Sequence, residues 1–275
     1  MPEGDVVRRT AHRLDQALSD RRLVRAELRW PSVAGVELVG RSVLGTSAYG
    51  KHLLTRLDDG RTLHTHLRMD GSWSISRTGT PGAVGRGPFV RVVLGTVLWT
   101  ATGDRLGMVD VLDTRDEPRL LGRLGPDLLA DDFIDAGLER ALLAMRREPA
   151  RAVCDALLDQ SVVAGIGTIF AAESLFAERV WPWTPSGGVP SPRDLLLTAR
   201  RLMVGSLEKP WHPRGTDPRG LPAVHGRASR PCRHCGTPIS VGTSGVLPRQ
   251  RPIFYCATCQ VGGRHGQVSG APTTR

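Results

Sequence analysis

Hydrophobic and polar positions change their period along this chain near residue 130. Before that point, apart from one helical segment at 6–18, apolar residues fall in short runs; 23–29, 52–57, 62–67, 89–94, 96–101 and 108–112 are examples. Glycine and proline separate these runs, which predicts a sandwich or barrel-like sheet over residues 1–125. From about Asp131 the spacing turns helical and predicts helices at 135–145, 151–158, 168–179 and 192–207. Two further short strands, 239–241 and 253–255, flank a Gly/Thr/Ser/Pro-rich turn at 242–248 and predict a β-hairpin. No internal repeat interrupts this order. The expected division is 1–125, 126–220 and 221–262, with a Pro/Gly/Arg-rich linker at 209–228 and a loose tail at 263–275.

A chain of 275 residues is long enough for two domains. Its 40% hydrophobic and 23% charged residues are globular rather than disordered composition. No apolar run approaches the roughly 18–20 residues of a membrane helix, and the start lacks the pattern of a secretory leader. A soluble, cytoplasmic protein without a membrane partner is expected. Charge changes the picture further. Thirty-seven basic residues against 27 acidic ones give +10 and a pI near 10.5, which points to an anionic partner. Only Lys51 and Lys209 are lysines; GC-rich coding accounts for most of such a bias, but it makes each lysine worth questioning. Eight arginines and no acid follow Asp217, so the last 58 residues carry +8. A basic tail would look like this, but the segment also holds an ordered motif, which favours a folded phosphate-binding module.

That motif is Cys232-x2-Cys235, twenty residues, then Cys256-x2-Cys259. Two close pairs at this separation suit a tetrahedral four-thiolate zinc site, one structural Zn²⁺ with no position left for water. Disulfides compete, but a chain without a leader is a poor place for them. Four thiolates on one Zn²⁺ sum to −2, so nearby arginines would compensate charge as well as offering phosphate ligands. Arg251 lies at the entry to the second hairpin strand, where it can reach a phosphate bidentately; without further context a solvated arginine explains it as well. Cys154, the fifth cysteine, sits in a helical stretch and reads as a small buried hydrophobe.

Among the helices, 157–161 ends one helix, the chain turns through Gly165 and Gly167, and Thr168 opens the next. Glycines allow close approach of backbone to phosphate, and the following helix start offers free N–H donors. Ordinary helix-hairpin geometry gives the same pattern, so the two readings stand level. At the start, Met1-Pro2-Glu3-Gly4-Asp5 would expose Pro2 as a secondary amine once Met1 is excised. Such an amine has a reference pKa near 8, roughly two units below lysine, and is more nucleophilic at neutral pH.

Together these pieces resemble the formamidopyrimidine-DNA glycosylase/endonuclease VIII family of bacterial base-excision repair enzymes. The resemblance runs through 1–4, Tyr49-Gly50-Lys51-His52-Leu53, His66-Leu67-Arg68-Met69-Asp70-Gly71-Ser72-Trp73, Leu124-Gly125-Pro126-Asp127-Leu128-Leu129, 157–176 and 251–260, in the family's order. The Glu-Gly-Asp start is similar to the endonuclease VIII branch, of actinobacterial type. The resemblance implies an α+β multidomain fold. An N-terminal β-sandwich with a flanking helix would be followed by a helix–two-turn–helix domain carrying a zinc-bound hairpin. It implies damaged DNA as partner and a monomer. Pro2 would attack C1′ and form an imine, and Glu3 would shuttle protons. Lys51 would bind a phosphate, as would Arg251, Gly167 and Thr168 on the lesion strand. β- and δ-eliminations would then cut the strand without a catalytic metal. Met69 would fill the gap left by the flipped base, flanked by Arg68 and Asp70, and the 103–107 loop would offer Arg105 and Leu106 to the opposite strand.

Two departures qualify the likeness. Thr168 stands where the family usually has asparagine, which keeps a hydroxyl but loses the amide fork. Asp5-Val6 replaces the Pro-Glu of the better-known branch, leaving a second carboxylate near Glu3 in question. The expected activity is a glycosylase with lyase activity on oxidised pyrimidines. The alternatives are oxidised-purine specificity and a silent relative that only binds damaged or branched DNA.

Overall fold

A computed structural model describes residues 2–208, 222–248 and 250–260. The chain forms two compact units, one ending at Arg123 and the other beginning at Leu124. The 263–275 tail, most of the expected linker (209–221), Lys209 and Arg249 lie outside the described residues.

The first unit opens with α1 (Gly4–Leu18), whose Val7, Ala11, Leu14 and Leu18 form one buried stripe at helical spacing. Two sheets follow. One joins β1 (Arg21–Arg22), β3 (Ser42–Tyr49), β4 (His52–Leu57), β5 (Arg61–His66) and β9 (Met108–Asp113) in the order β1-β3-β4-β5-β9. The other joins β2 (Arg25–Leu28), β6 (Ser72–Arg77), β7 (Val90–Gly95) and β8 (Trp99–Asp104) in the order β2-β7-β8-β6. Every pairing is antiparallel. Leu53, Leu57, Leu63 and Val109 from the first sheet meet Val92, Leu94, Ala101 and Trp73 from the second, with the α1 stripe in the same core. This is the expected sandwich with a flanking helix. Each fully buried leucine contributes roughly 1.5–3 kcal/mol. A short α2 (Glu117–Leu121) follows β9; its Glu117 is buried and paired with Arg56 and Thr62.

Element boundaries moved where side chains bond to the backbone. The strand expected at 96–101 begins at Trp99, because Thr96 Oγ1 accepts the Trp99 N–H at 3.0 Å and fixes a turn. Strand β3 escaped the periodicity: its SVLGTSAY run is half-buried and interrupted by a register shift at Val43/Gly45.

In the second unit α3 (Gly137–Arg146), α4 (Val153–Leu158), α5 (Thr168–Ala177) and α6 (Pro192–Leu207) share a core with Ile239, Ile253, Cys232 and Cys256. Helix α6 matches its expected bounds because Ser191 caps it and Pro192 opens it. Strands β10 (Ser240–Ser244) and β11 (Arg251–Tyr255) form the expected hairpin, closed by the pair Ser244–Arg251. Cys154 is fully buried in α4, and burial pushes its thiol up to about 12. No helix among the described residues is long and apolar enough to cross a membrane.

Candidate active site and nucleic-acid interface

The expected site residues divide between the units: Pro2, Glu3, Lys51, Arg68, Met69 and Arg105 in the first, Gly167, Thr168, Arg251 and the four cysteines in the second. Glu3 is the N-cap of α1, in extended backbone, and is only 1% exposed; Pro2 before it is half-buried. Asp5, on the first turn of the helix, is buried as well. Asp5 is thus a buried acid two positions along the chain from Glu3, while Val6 stands where the better-known branch carries glutamate.

Lys51 lies in the two-residue turn between β3 and β4, after Gly50 with φ +56°. A glycine at the first turn position suits the twist of a tight hairpin. Lys51 is buried to 7% exposure, which is rare for lysine. The β4–β5 register places His52 opposite His66 and Leu54 opposite His64, so three histidines share one sheet face. His52 Nδ1 and His64 Nε2 are 2.8 Å apart with stacked rings, and His66 meets His52 edge-on at 5.1 Å. All three imidazoles are held down to about 4. Burial is the main cause, followed for His52 by His64 and Arg68, for His64 by His66 (Glu117 opposing), and for His66 by His52, Arg68 and Lys51. Lys51 and Arg68 thus act on the same neutral cluster. The Arg68 N–H donates to His66 Nδ1 at 2.9 Å, which leaves the proton of neutral His66 on Nε2.

Arg68 takes a left-handed φ of +56°, and residues 68–70 form an exposed turn with Met69 62% exposed. The Arg68 stem lies over Gly107, where a Cβ would come within 2.0 Å of Arg68 Cγ, so this turn and the 103–107 loop need a glycine between them. Arg105 is exposed with φ +49°, and its guanidinium lies 3.9 Å from the centroid of the Phe89 ring. Leu106 does not project with it. It is 2% exposed and sits in the sandwich core, so the expectation that Leu106 reaches a DNA strand is withdrawn. An apolar side chain beside Arg105 gains more from the core than from solvent.

In the second unit Gly165 turns with φ +105°, and Thr168 is the first residue of α5, with Gly167 as its N-cap. Gln160 stitches the double turn: its Nε2 donates to the Ile166 carbonyl at 2.9 Å and its Oε1 accepts the Gly165 N–H at 3.0 Å. The 124–129 segment braces it from outside, Gly125 N–H to Gln160 O at 2.8 Å and Leu128 N–H to Ala164 O at 3.0 Å. Arg251 opens β11, half-buried, and its guanidinium has no hydrogen-bond or ion-pair partner among the described residues. The four cysteine sulfurs lie within 4.8 Å of one another, with Cys232–Cys259 at 3.9 Å and Cys235–Cys256 at 3.5 Å. Four thiolates around one ion at about 2.3 Å would stand about 3.8 Å apart, so this donor set fits a tetrahedral metal.

Residues 1–113 match the profile of the formamidopyrimidine-DNA glycosylase N-terminal domain and residues 124–200 that of the family's H2TH domain. The chain is 45% identical over 265 residues to a probable endonuclease 8 2 of Streptomyces coelicolor, covering 95% of each. The chain belongs to the formamidopyrimidine-DNA glycosylase/endonuclease VIII family. It is also 36% identical to a DNA-(apurinic or apyrimidinic site) lyase Nei2 of Mycolicibacterium smegmatis, over 94% of this chain and 99% of the relative. The fold is that of the Lactococcus lactis formamidopyrimidine-DNA glycosylase bound to AP-site DNA, with a TM-score of 0.79, 20% identity, and 94% and 99% of the two chains covered.

Within this family frame, two features escaped the sequence. The histidine cluster is assembled by strand register, and only the alternation His64-x-His66 hinted that both rings share a face. The other is Glu173 on α5, whose carboxylate accepts three successive backbone N–H groups, Ala223 at 2.7 Å, Val224 at 2.9 Å and His225 at 2.8 Å. It ties the helix opened by Thr168 to the chain entering the cysteine module. A lone acid in the apolar run IFAAESLFA was the available signal.

Proposed function

We propose that this chain is a bifunctional DNA glycosylase and DNA-(apurinic or apyrimidinic site) lyase that removes oxidised pyrimidines. The observation that carries this is a Pro2-Glu3 start with Glu3 buried at the head of α1, in a chain 45% identical along 95% of its length to a probable endonuclease 8. After loss of Met1, the Pro2 nitrogen attacks C1′ of the damaged nucleotide, the glycosidic bond breaks, and the base leaves with a proton. The C1′–O4′ bond then breaks, O4′ takes a proton, and the product is an iminium between Pro2 and the opened sugar. Loss of a C2′ proton then expels the 3′ phosphate, and a second elimination expels the 5′ phosphate. Water finally releases Pro2. Glu3 moves the protons these steps require.

Lys51, Arg251 and the Gly167–Thr168 helix start each hold a phosphate of the DNA, and Arg68 contacts the DNA as well. Met69 fills the vacated stack, and Arg105 faces the other strand. Thr168 in place of asparagine loses the amide fork but offers a hydroxyl, so that contact is weaker. The four cysteines hold one structural zinc, which fixes the hairpin base and takes no part in the chemistry. The protein acts as a monomer in the cytoplasm.

The test is reductive trapping. Borohydride should fix the enzyme covalently to abasic-site DNA through Pro2, and an extra residue ahead of Pro2 should abolish the adduct. Glu3→Gln should slow base removal more than cleavage of a preformed abasic site. Duplexes carrying thymine glycol or dihydrouracil should be cut faster than one carrying oxidised guanine; the reverse order would assign the purine class. No adduct on any of these substrates, with Met1 confirmed absent, would leave a DNA-binding relative without chemistry.

A further inference from the structure

Helix α4 holds an acid that neither the chemistry nor the metal module uses. Asp155 points its Oδ1 at the turn of the hairpin 89 and 90 residues further on. There it accepts the Ser244 hydroxyl in a short hydrogen bond and the Gly245 N–H at 2.7 Å. Ser244 is the register partner of Arg251, so these contacts grip the closing pair of the hairpin from the opposite strand. The neighbouring turns of the ladder are held as well. Trp183 Nε1 donates to the Thr243 carbonyl at 3.0 Å, and the Trp183 ring lies so close to Gly242 that a Cβ there would come within 2.3 Å.

The cysteines are at the other end. Cys256 follows the last residue of β11, while Arg251 is the first, so the metal knuckle and the arginine sit at opposite ends of a five-residue strand. At about 3.3 Å per residue that is roughly 15 Å, too far for the knuckle to fix the guanidinium by itself. The C-cap of α4 is Asp159, which accepts the Ser161 N–H at 2.8 Å where the double turn begins. A six-residue helix, about 9 Å long, therefore touches the arginine's turn with one acid and the helix–two-turn–helix with the other.

We infer that Asp155 is a positioning residue for DNA binding: it locks the Ser244–Arg251 end of the hairpin and sets the spacing between Arg251 and the Gly165–Thr168 turn. This rests on the proposed role of Arg251 as a phosphate ligand. A charged hydrogen bond of about 1.5–3 kcal/mol corresponds to roughly 10–100-fold in affinity. Asp155→Ala leaves Arg251 in place but unfastened and loses a comparable factor. Asp155→Asn keeps a carbonyl oxygen for both donors and retains most of the affinity.

The test uses the full chain with its metal and a duplex carrying a tetrahydrofuran abasic analogue, titrated at several salt concentrations. Arg251→Ala and Asp155→Ala should each lower affinity about tenfold or more and reduce the log–log salt slope by about one unit. The double variant should bind no worse than Arg251→Ala alone, and Asp155→Asn should stay within about threefold of wild type. Ser244→Ala, which leaves α4 untouched, should fall between them, guarding against a folding defect in Asp155→Ala. Losses that multiply in the double variant, or wild-type affinity and slope in both Asp155→Ala and Ser244→Ala, would overturn the positioning role while leaving Arg251 a ligand. Wild-type affinity and slope in Arg251→Ala would instead overturn the phosphate role, and the inference with it.

Discussion

The neutral histidine cluster makes acid stability a measure of how this sheet face is built. His52, His64 and His66 ordinarily titrate near 6.5, and here are held at about 4, mainly by burial. These are bases with depressed folded values, so the unfolded chain binds more protons and stability rises with pH between the two values. The contribution is fully present above about 6.5 and is lost as pH falls towards 4. At pH 5 each ring is about nine-tenths neutral when folded and almost fully protonated when unfolded, a difference of about 0.9 proton. At about 1.36 kcal/mol per proton per pH unit, three rings give a slope of about 3–4 kcal/mol per pH unit. Integrated from pH 7 to 5 the loss is about 2 kcal/mol per ring, or about 5–6 kcal/mol together, against the roughly 5–15 kcal/mol that holds a domain. Asp59 is held low by Arg61, and Asp159, against the raising effect of burial, by Ser161 with Arg151; both add to acid lability only below about pH 4. Guanidinium unfolding of the first unit at several pH values would read the slope, with amide exchange over 52–66 as the local probe. His64→Gln should remove about a third of it. A stability that changes by less than about 1 kcal/mol between pH 7.5 and 5 would refute the buried, neutral cluster.

Two further outcomes are expected. Gly242→Ala must displace the Trp183 ring, which also packs edge-on against Tyr255 at 5.0 Å; overpacking and a lost indole hydrogen bond should cost about 2–4 kcal/mol, read as a lower melting temperature with weaker DNA binding. Metal analysis should find one zinc per chain, and Cys256→Ser should lose it along with DNA affinity while the first unit keeps its own melting transition; a metal-free protein with full DNA binding would refute the four-thiolate site.

Local chemistry was legible along the chain because it depends on neighbours in sequence. The cysteine spacing announced a four-thiol cluster that could hold a metal, the glycines at 165 and 167 announced a turn ahead of a helix, and Ser191-Pro192 announced a helix start, each with its own short-range cause. The resemblance across the motifs already implies the family, and the 45% identical relative bears that out. What the chain could not show were quantities set by pairing across distance. Leu106 next to exposed Arg105 reads as a surface residue until the sheet brings Trp73 and Gly103 against it. His52 and His66 are fourteen residues apart and meet only because β4 and β5 pair in one register; a one-residue slip would turn His64 and His66 to the other face. Asp155 is an ordinary helix acid until the hairpin turn arrives 90 residues later. Burial, protonation state and the choice of partner follow from which distant segments exclude water from a side chain, and that is decided only when each unit folds.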